Sequence, residues 1–275
     1  MIHPYLSDIY IYPVKSLAGI RMSTWQVTTT GFKYDRKWML VDNDHQFLSQ
    51  RRLPKMALIK TAVSDSELRL SAPGMSELTL ALEPTAGEIL NCTIWHDQLD
   101  TLAVSTLADS WFSRFLGIDC RLVYQPDTSI RPVNPNFAKP EDHTAFSDGF
   151  PFLLISESSL EALNQAMQLN LEIVRFRPNL VVSGCGSYAE DSWREIMIGD
   201  ISFRLPKPCS RCAVPTIDPN TGVTGKEPLT TLNRLRKWQN KVYFGQNALH
   251  NQCGVLSVND KINIIATGSL QPPLS

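Results

Sequence analysis

The stretch Pro206–Gly222, "PKPCSRCAVPTIDPNTG", decides how the rest of the chain is read. Cys209 and Cys212 stand three positions apart, with Arg211 between them and Lys207 just before. Prolines at 206, 208 and 215 stiffen the surroundings. Three chemistries suit such a pair. A structural zinc site needs four ligands, commonly two paired clusters, and no second CxxC or HxxxH accompanies this one. Cys185 and Cys253 stand alone, and His3, His45, His96, His143 and His250 are scattered. A thioredoxin-like dithiol needs a helix after the first cysteine to lower its pKa, and "AVPTIDPNTG" reads as a turn. The third chemistry is one thiolate offered to a metal that a cofactor carries. A soft sulfur suits such a metal, and Lys207 and Arg211 would favour the thiolate. Both cysteines also fit the bland role of small buried hydrophobes.

Outward from the pair, residues 126–275 alternate strands and helices. "PFLLIS" reads as a buried strand, and "ESSLEALNQAMQ" as a helix with Leu160, Leu163 and Met167 on one face. "NLVVSG" reads as a strand. "IMIGDISFRL" reads as a hairpin turning at Gly199-Asp200, and "PLTTLNRLRKW" as a helix opened by Pro228. "GVLSVNDKINII" reads as a closing hairpin around Asn259-Asp260. Residues 126–150 carry four prolines and little periodicity, so they read as a long connecting loop or a binding segment. Residues 1–125 are richer in strands: "SDIYIYPV", "WQVTTT", "WMLVDND", "ALIKTAV", "LRLSAP" and "LTLAL" fit a barrel or compact meander. One helix is expected at "LADSWFSRFLG", closed by Gly117. The expected class is mainly β with a few helices (α+β).

Bulk properties narrow the function. At 275 residues with 43% hydrophobic content, the chain can hold one large domain or two. A net charge of −1 speaks against a general nucleic-acid binder. No apolar run approaches the roughly 18 residues of a membrane span, and no signal peptide is read at the N-terminus. The six cysteines then read as reduced thiols of a cytoplasmic protein.

Five motifs occur in one order: "IYPVKS", "YDRKWMLVD", "FRPNLVVSG", "YAEDSWREIMIGD" and "PCSRCAVPTIDPNTG". Together they closely resemble the MOSC-domain proteins that carry a MOSC N-terminal β-barrel domain. Among these are the amidoxime-reducing components and their bacterial relatives, which reduce N-hydroxylated bases. The resemblance runs from about Ile9 to about Ile264. It implies a MOSC N-terminal β-barrel-like domain over 1–125, packed on a MOSC β-barrel domain over 126–275. It also implies a molybdenum cofactor (Mo-molybdopterin), with Cys212 as metal ligand and catalytic residue. Lys15, Ser16, Arg36, Arg177 and Asn179 fall on the family's phosphate and pterin contacts, as do Ser210, Arg211 and Asp148. The residues after Asp148 depart from the family's usual small hydroxyl residues.

The chemistry of those residues is compatible with that role. Lys15 offers a point charge, Arg36 and Arg177 offer guanidinium forks, and Ser16 offers a hydroxyl to a phosphate. Asp148 and Asn179 can meet the donor and acceptor edge of a pterin. Taken singly, each has a plainer reading. Arg36 beside Asp35 could be a surface ion pair, Arg177 a strand-end cap, and Asp148 an Asx turn. Cys209 keeps a structural role, and Glu190 and Asp191 read as a solvated turn. The activity implied is two-electron reduction of N-hydroxylated compounds such as hydroxylamines and amidoximes. Its electrons would come from a separate ferredoxin-, flavodoxin- or cytochrome-like protein, since no iron–sulfur cysteine cluster follows. The competing function is a non-catalytic carrier of the molybdenum cofactor or of persulfide sulfur. Neither nucleic acid nor membrane is an expected partner.

Overall fold

The fold is taken from a computed structural model that describes residues 3–273. Period-two burial builds its strands. In Glu67–Ser71, Leu68 and Leu70 face inward while Glu67, Arg69 and Ser71 face solvent. This strand lies between Lys60–Val63 and Leu78–Ala81 in a three-stranded sheet. A four-stranded sheet beside it runs Trp38–Val41, Arg121–Tyr124, Asp97–Ala103, Ile89–Ile94. Trp38–Val41 is buried along its whole length. Helix α1 (Thr106–Leu116) presents Trp111, Phe112 and Phe115 to the core formed with Trp38, Leu40, Leu68 and Leu70. Ser105 caps its first turn by accepting from the Ala108 amide, and Gly117 closes it at φ 76°, as the sequence predicts.

The larger sheet contains the cysteine strand. Its path runs Ile262–Thr267, Trp193–Ile198, Ile201–Ser210, Lys241–His250, Phe152–Ser156, Leu180–Ser183, Tyr5–Ile11, Ile20–Met22. Phe152–Ser156 and Leu180–Ser183 are parallel, joined by the crossover helix α2 (Glu157–Met167). Helix α3 (Leu229–Leu235) begins after Pro228. The hairpin at Gly199-Asp200 forms with Ile198 opposite Ile201.

The first strand crosses the boundary drawn at 125/126. Tyr5–Ile11 lies in the second sheet, paired with Leu180–Ser183. Thr24–Thr28 pairs with Gly254–Ser257. Three local expectations also change. The turn at Asn259-Asp260 forms, but its arms do not pair with each other: Gly254–Ser257 joins Thr24–Thr28, and Ile262–Thr267 joins Trp193–Ile198. Ile262–Thr267 thereby gains the six-residue partner Trp193–Ile198 in place of the four residues of Gly254–Ser257. Residues 126–150 lack regular structure yet are fixed from within, because buried Arg131 donates to the carbonyls of Ala145 (2.9 Å) and Ser147 (2.6 Å). Glu190 and Asp191 do not form a solvated turn: they are 1% and 3% exposed. Glu190 accepts from the Ser156 and Ser159 hydroxyls, each at 2.9 Å, and Asp191 pairs with Arg236 at 2.6 Å.

Candidate active site

Five segments far apart in sequence meet at one cleft. The turn after Tyr5–Ile11 brings Lys15 and Ser16, and the turn before Trp38–Val41 brings Arg36. The irregular segment delivers Asp148, and the approach to Leu180–Ser183 delivers Arg177 and Asn179. The end of the cysteine strand delivers Arg211 and Cys212. Eight of the nine residues singled out from sequence therefore line one cavity. Ser210 is the exception: it is exposed and lies outside the lining, because alternation along the strand turns it away. Cys209 packs against the core of Leu153, Ile155 and Phe176, in keeping with its structural reading, and also lines the cleft beside Cys212.

The lining is strained where it is most cationic. Ser16, Arg36 and Arg177 hold φ values of 68°, 50° and 58°, a left-handed region that costs a non-glycine residue about 1 kcal/mol or more. The arginines share a platform. Arg36 and Arg177 set their guanidiniums 4.5 and 4.2 Å from the ring centroid of buried Tyr12. Arg36 also pairs with buried Asp35 and donates to Asn179 Oδ1 at 2.9 Å. Arg177 donates to the Leu17 carbonyl at 2.6 Å. Gly19 has no side chain because the Tyr12 ring occupies that space: a Cβ there would stand 2.4 Å from Tyr12 Cε1.

Charge is concentrated here. The buried Lys15 ammonium donates to the Phe146 carbonyl at 2.8 Å and to Asp148 at 2.5 Å. Burial pushes its pKa down to about 8, against the pull of Asp148. Lys15, backed by Arg51, holds the carboxyl of solvent-facing Asp148 well below the usual range. Burial, reinforced by Arg36 though opposed by Tyr12, brings Arg177 down to about 10, still cationic at neutral pH. Sequence reasoning missed Arg51, which lines the cleft 3.7 Å from Asp148 and stacks on Trp95 at 4.4 Å. The paired arginines of "SQRRLPK" were its signal. Ser49, Ser147 and Asn247 also join the lining without any local signature.

At the cysteine end, Arg211 donates to Cys209 Sγ at 3.1 Å and to the Phe176 carbonyl at 2.7 Å. Its Nε is buried with no partner, a donor left open toward a ligand. The cleft thus offers an excess of cations at one side and thiols at the other. An anion with a soft metal at some distance from its charge fits that donor set. Among the described residues no cluster of three His, Cys, Asp or Glu is arranged to hold a bare metal ion.

The MOSC N-terminal beta barrel domain matches residues 3–119, and the MOSC domain matches residues 141–263. The chain belongs to the MOSC-domain family. This MOSC protein is 34% identical to the mitochondrial amidoxime-reducing component 1 of Mus musculus, over 94% of its own length and 82% of that protein. It is 32% identical to component 1 of Homo sapiens, with the same coverage. It is 31% identical to the mitochondrial amidoxime reducing component 2 of Rattus norvegicus, again over 94% and 82%. No helix of the MOSC protein among the described residues is long and apolar enough to cross a membrane.

Proposed function

We propose that the protein is a molybdenum cofactor-dependent reductase of N-hydroxylated compounds. It would work in the cytoplasm with electrons from a separate redox protein. The observation that supports this most is the meeting of Cys212 with the cations Lys15, Arg36, Arg51, Arg177 and Arg211 in one cleft. The names of the relatives point the same way.

The residues present suit the cofactor. Lys15, Ser16, Arg36 and Arg177 would hold its phosphate, their charges set in low dielectric where ionic hydrogen bonds are strongest. Asn179 acts through Arg36, since its Oδ1 accepts from that guanidinium and its Nδ2 donates to the Tyr10 carbonyl. Asp148 pairs with Lys15 on one side and keeps open lone pairs for a pterin donor on the other. Arg211 would turn its free Nε to the same group, and Cys212 would supply the thiolate to the metal. Ser210, being exposed, is left out of the proposed set. When bound, the molybdenum centre supplies the two-electron reduction of the N–O bond. The chain's part is to bind, to orient, and to keep Cys212 at the metal.

The test is protein made in a host that builds the cofactor, analysed for metal and assayed with a hydroxylamine and a chemical electron donor. Stoichiometric molybdenum with turnover is the expected result. Molybdenum without turnover would identify a carrier, and zinc in place of molybdenum would overturn the proposal.

A further inference from the structure

The cysteine strand has a second cavity on its other flank. Phe137, Pro206, Pro208, Trp238, Tyr243 and Leu270 wall a groove that also includes Lys207. It adjoins the cleft. Pro208 lines the groove while its neighbour Cys209 lines the cleft. Phe137 belongs to the groove and Phe150 to the cleft, with their rings 6.3 Å apart. The Lys207 ammonium stands at this partition, 4.4 Å from the Phe137 centroid and 6.0 Å from that of Phe150.

The walls are stiff and aromatic. Prolines fix one side, and the Trp238 and Tyr243 rings, 6.0 Å apart and tilted 50° to each other, offer two ring faces on another. Such a slot suits a planar molecule better than a flexible chain, which would lose more freedom on entering. Charge then selects within the planar class. Lys207 has no carboxylate partner among the described residues, and its pKa is lowered first by burial and then by the nearby cation Lys241. A cationic guest would meet two like charges, whereas an anionic one supplies the missing counter-ion.

We propose that this groove binds a flat aromatic molecule bearing a carboxylate or a similar anionic group, with Lys207 as its partner. The substrates reduced in the cleft are then extended molecules whose non-reacting body lies in the groove. This second part rests on the cleft being the reaction centre.

Two measurements separate the parts. In the first, the protein is titrated with naphthalene-2-carboxylate and with the neutral naphthalene-2-carboxamide. The carboxylate binds about tenfold more tightly, the factor one charge-assisted hydrogen bond supplies. Lys207→Met erases that preference, Lys207→Arg keeps it, and Trp238→Ala weakens both ligands. A preference that survives Lys207→Met and Trp238→Ala belongs to the cleft cations and overturns the groove. Equal affinity of the two probes for the unaltered protein overturns it as well. In the second, the cofactor-loaded enzyme is given an aromatic amidoxime with and without a ring carboxylate. A KM about tenfold lower for the carboxylate supports the extended-substrate reading, and equal KM values overturn it. No turnover of either compound, with the binding preference intact, refutes the reaction assigned to the cleft and leaves the groove standing.

Discussion

Tyr12 shows how a single ring can organise an anion site. Its ring holds the Arg36 and Arg177 guanidiniums within 4.5 Å of its centroid, and its hydroxyl is buried without a partner. Leaving that hydroxyl unpaired costs about 1–3 kcal/mol, while the ring keeps two repelling guanidiniums in register. Gly19→Ala pushes a methyl into this ring. Sulfate affinity of the variant, measured by calorimetry, is expected to fall at least severalfold even where the fold persists. Lys15 makes the same site pH-sensitive. The unfolded chain keeps that proton up to its ordinary value of 10.5, while the folded chain releases it near pH 8. Between those values the unfolded state binds more protons, so stability rises with pH there. Sulfate affinity moves the other way, declining as pH passes about 8 because a cation is lost. Lys15→Met should flatten both trends, as read by denaturant unfolding and by sulfate titration across pH 7–10. At the thiols, Cys212→Ala should cost more than the roughly 10–100-fold typical of residues one step removed from a metal. Cys209→Ser should stay within roughly tenfold, because Arg211 retains the Phe176 carbonyl. Both variants should keep the fold within about 0.5–1 kcal/mol, as both thiols are only half-buried. Equal activity losses would assign the ligand wrongly.

Elements carry the second lesson, at the short 3-10 turn Ala189–Ser192. Glu190 gathers the cap of helix α2 through Ser156 and Ser159, and Asp191 gathers Arg236 and Gln246. Burial raises both carboxyls, and their partners oppose it. Asp191→Ala leaves the Arg236 guanidinium buried and alone, with an expected loss of about 3–5 kcal/mol in urea unfolding. Replacing both partners with apolar residues of similar size should recover most of it. "YAEDSW" reads as a solvated turn because every side-chain partner of its two carboxylates lies at least 31 residues away, where local pattern carries no information. The same limit explains the last two strands: their turn chemistry was legible at Asn259-Asp260, but their pairing depends on remote apolar edges. Where partners are local, the reading held. The Gly117 cap, the Gly199-Asp200 hairpin and the turn over 213–222 all rest on neighbours within a few positions. Of the site, the residues inside ordered motifs were legible. Ser49, Ser147 and Asn247 reach the cleft through the tertiary fold alone.

At the scale of the whole molecule, strands of the chain's first thirty residues pair with strands of its second half. Tyr5–Ile11 sits inside the larger sheet, and Thr24–Thr28 is the partner of Gly254–Ser257. A fragment of residues 126–275 therefore loses an internal strand and exposes the Leu6, Ile9 and Ile11 side of the core. It should fail to give a cooperative thermal transition, whereas the whole chain should melt in one step by calorimetry. The stitching has a cost during synthesis. Val27 must wait for Gly254 to leave the ribosome before it finds its neighbour. At roughly 5–20 residues per second the nascent chain holds that apolar edge bare for on the order of ten to fifty seconds. Such an edge invites pairing with other emerging chains, so efficient production calls for a holding chaperone or for uninterrupted translation through Gly254.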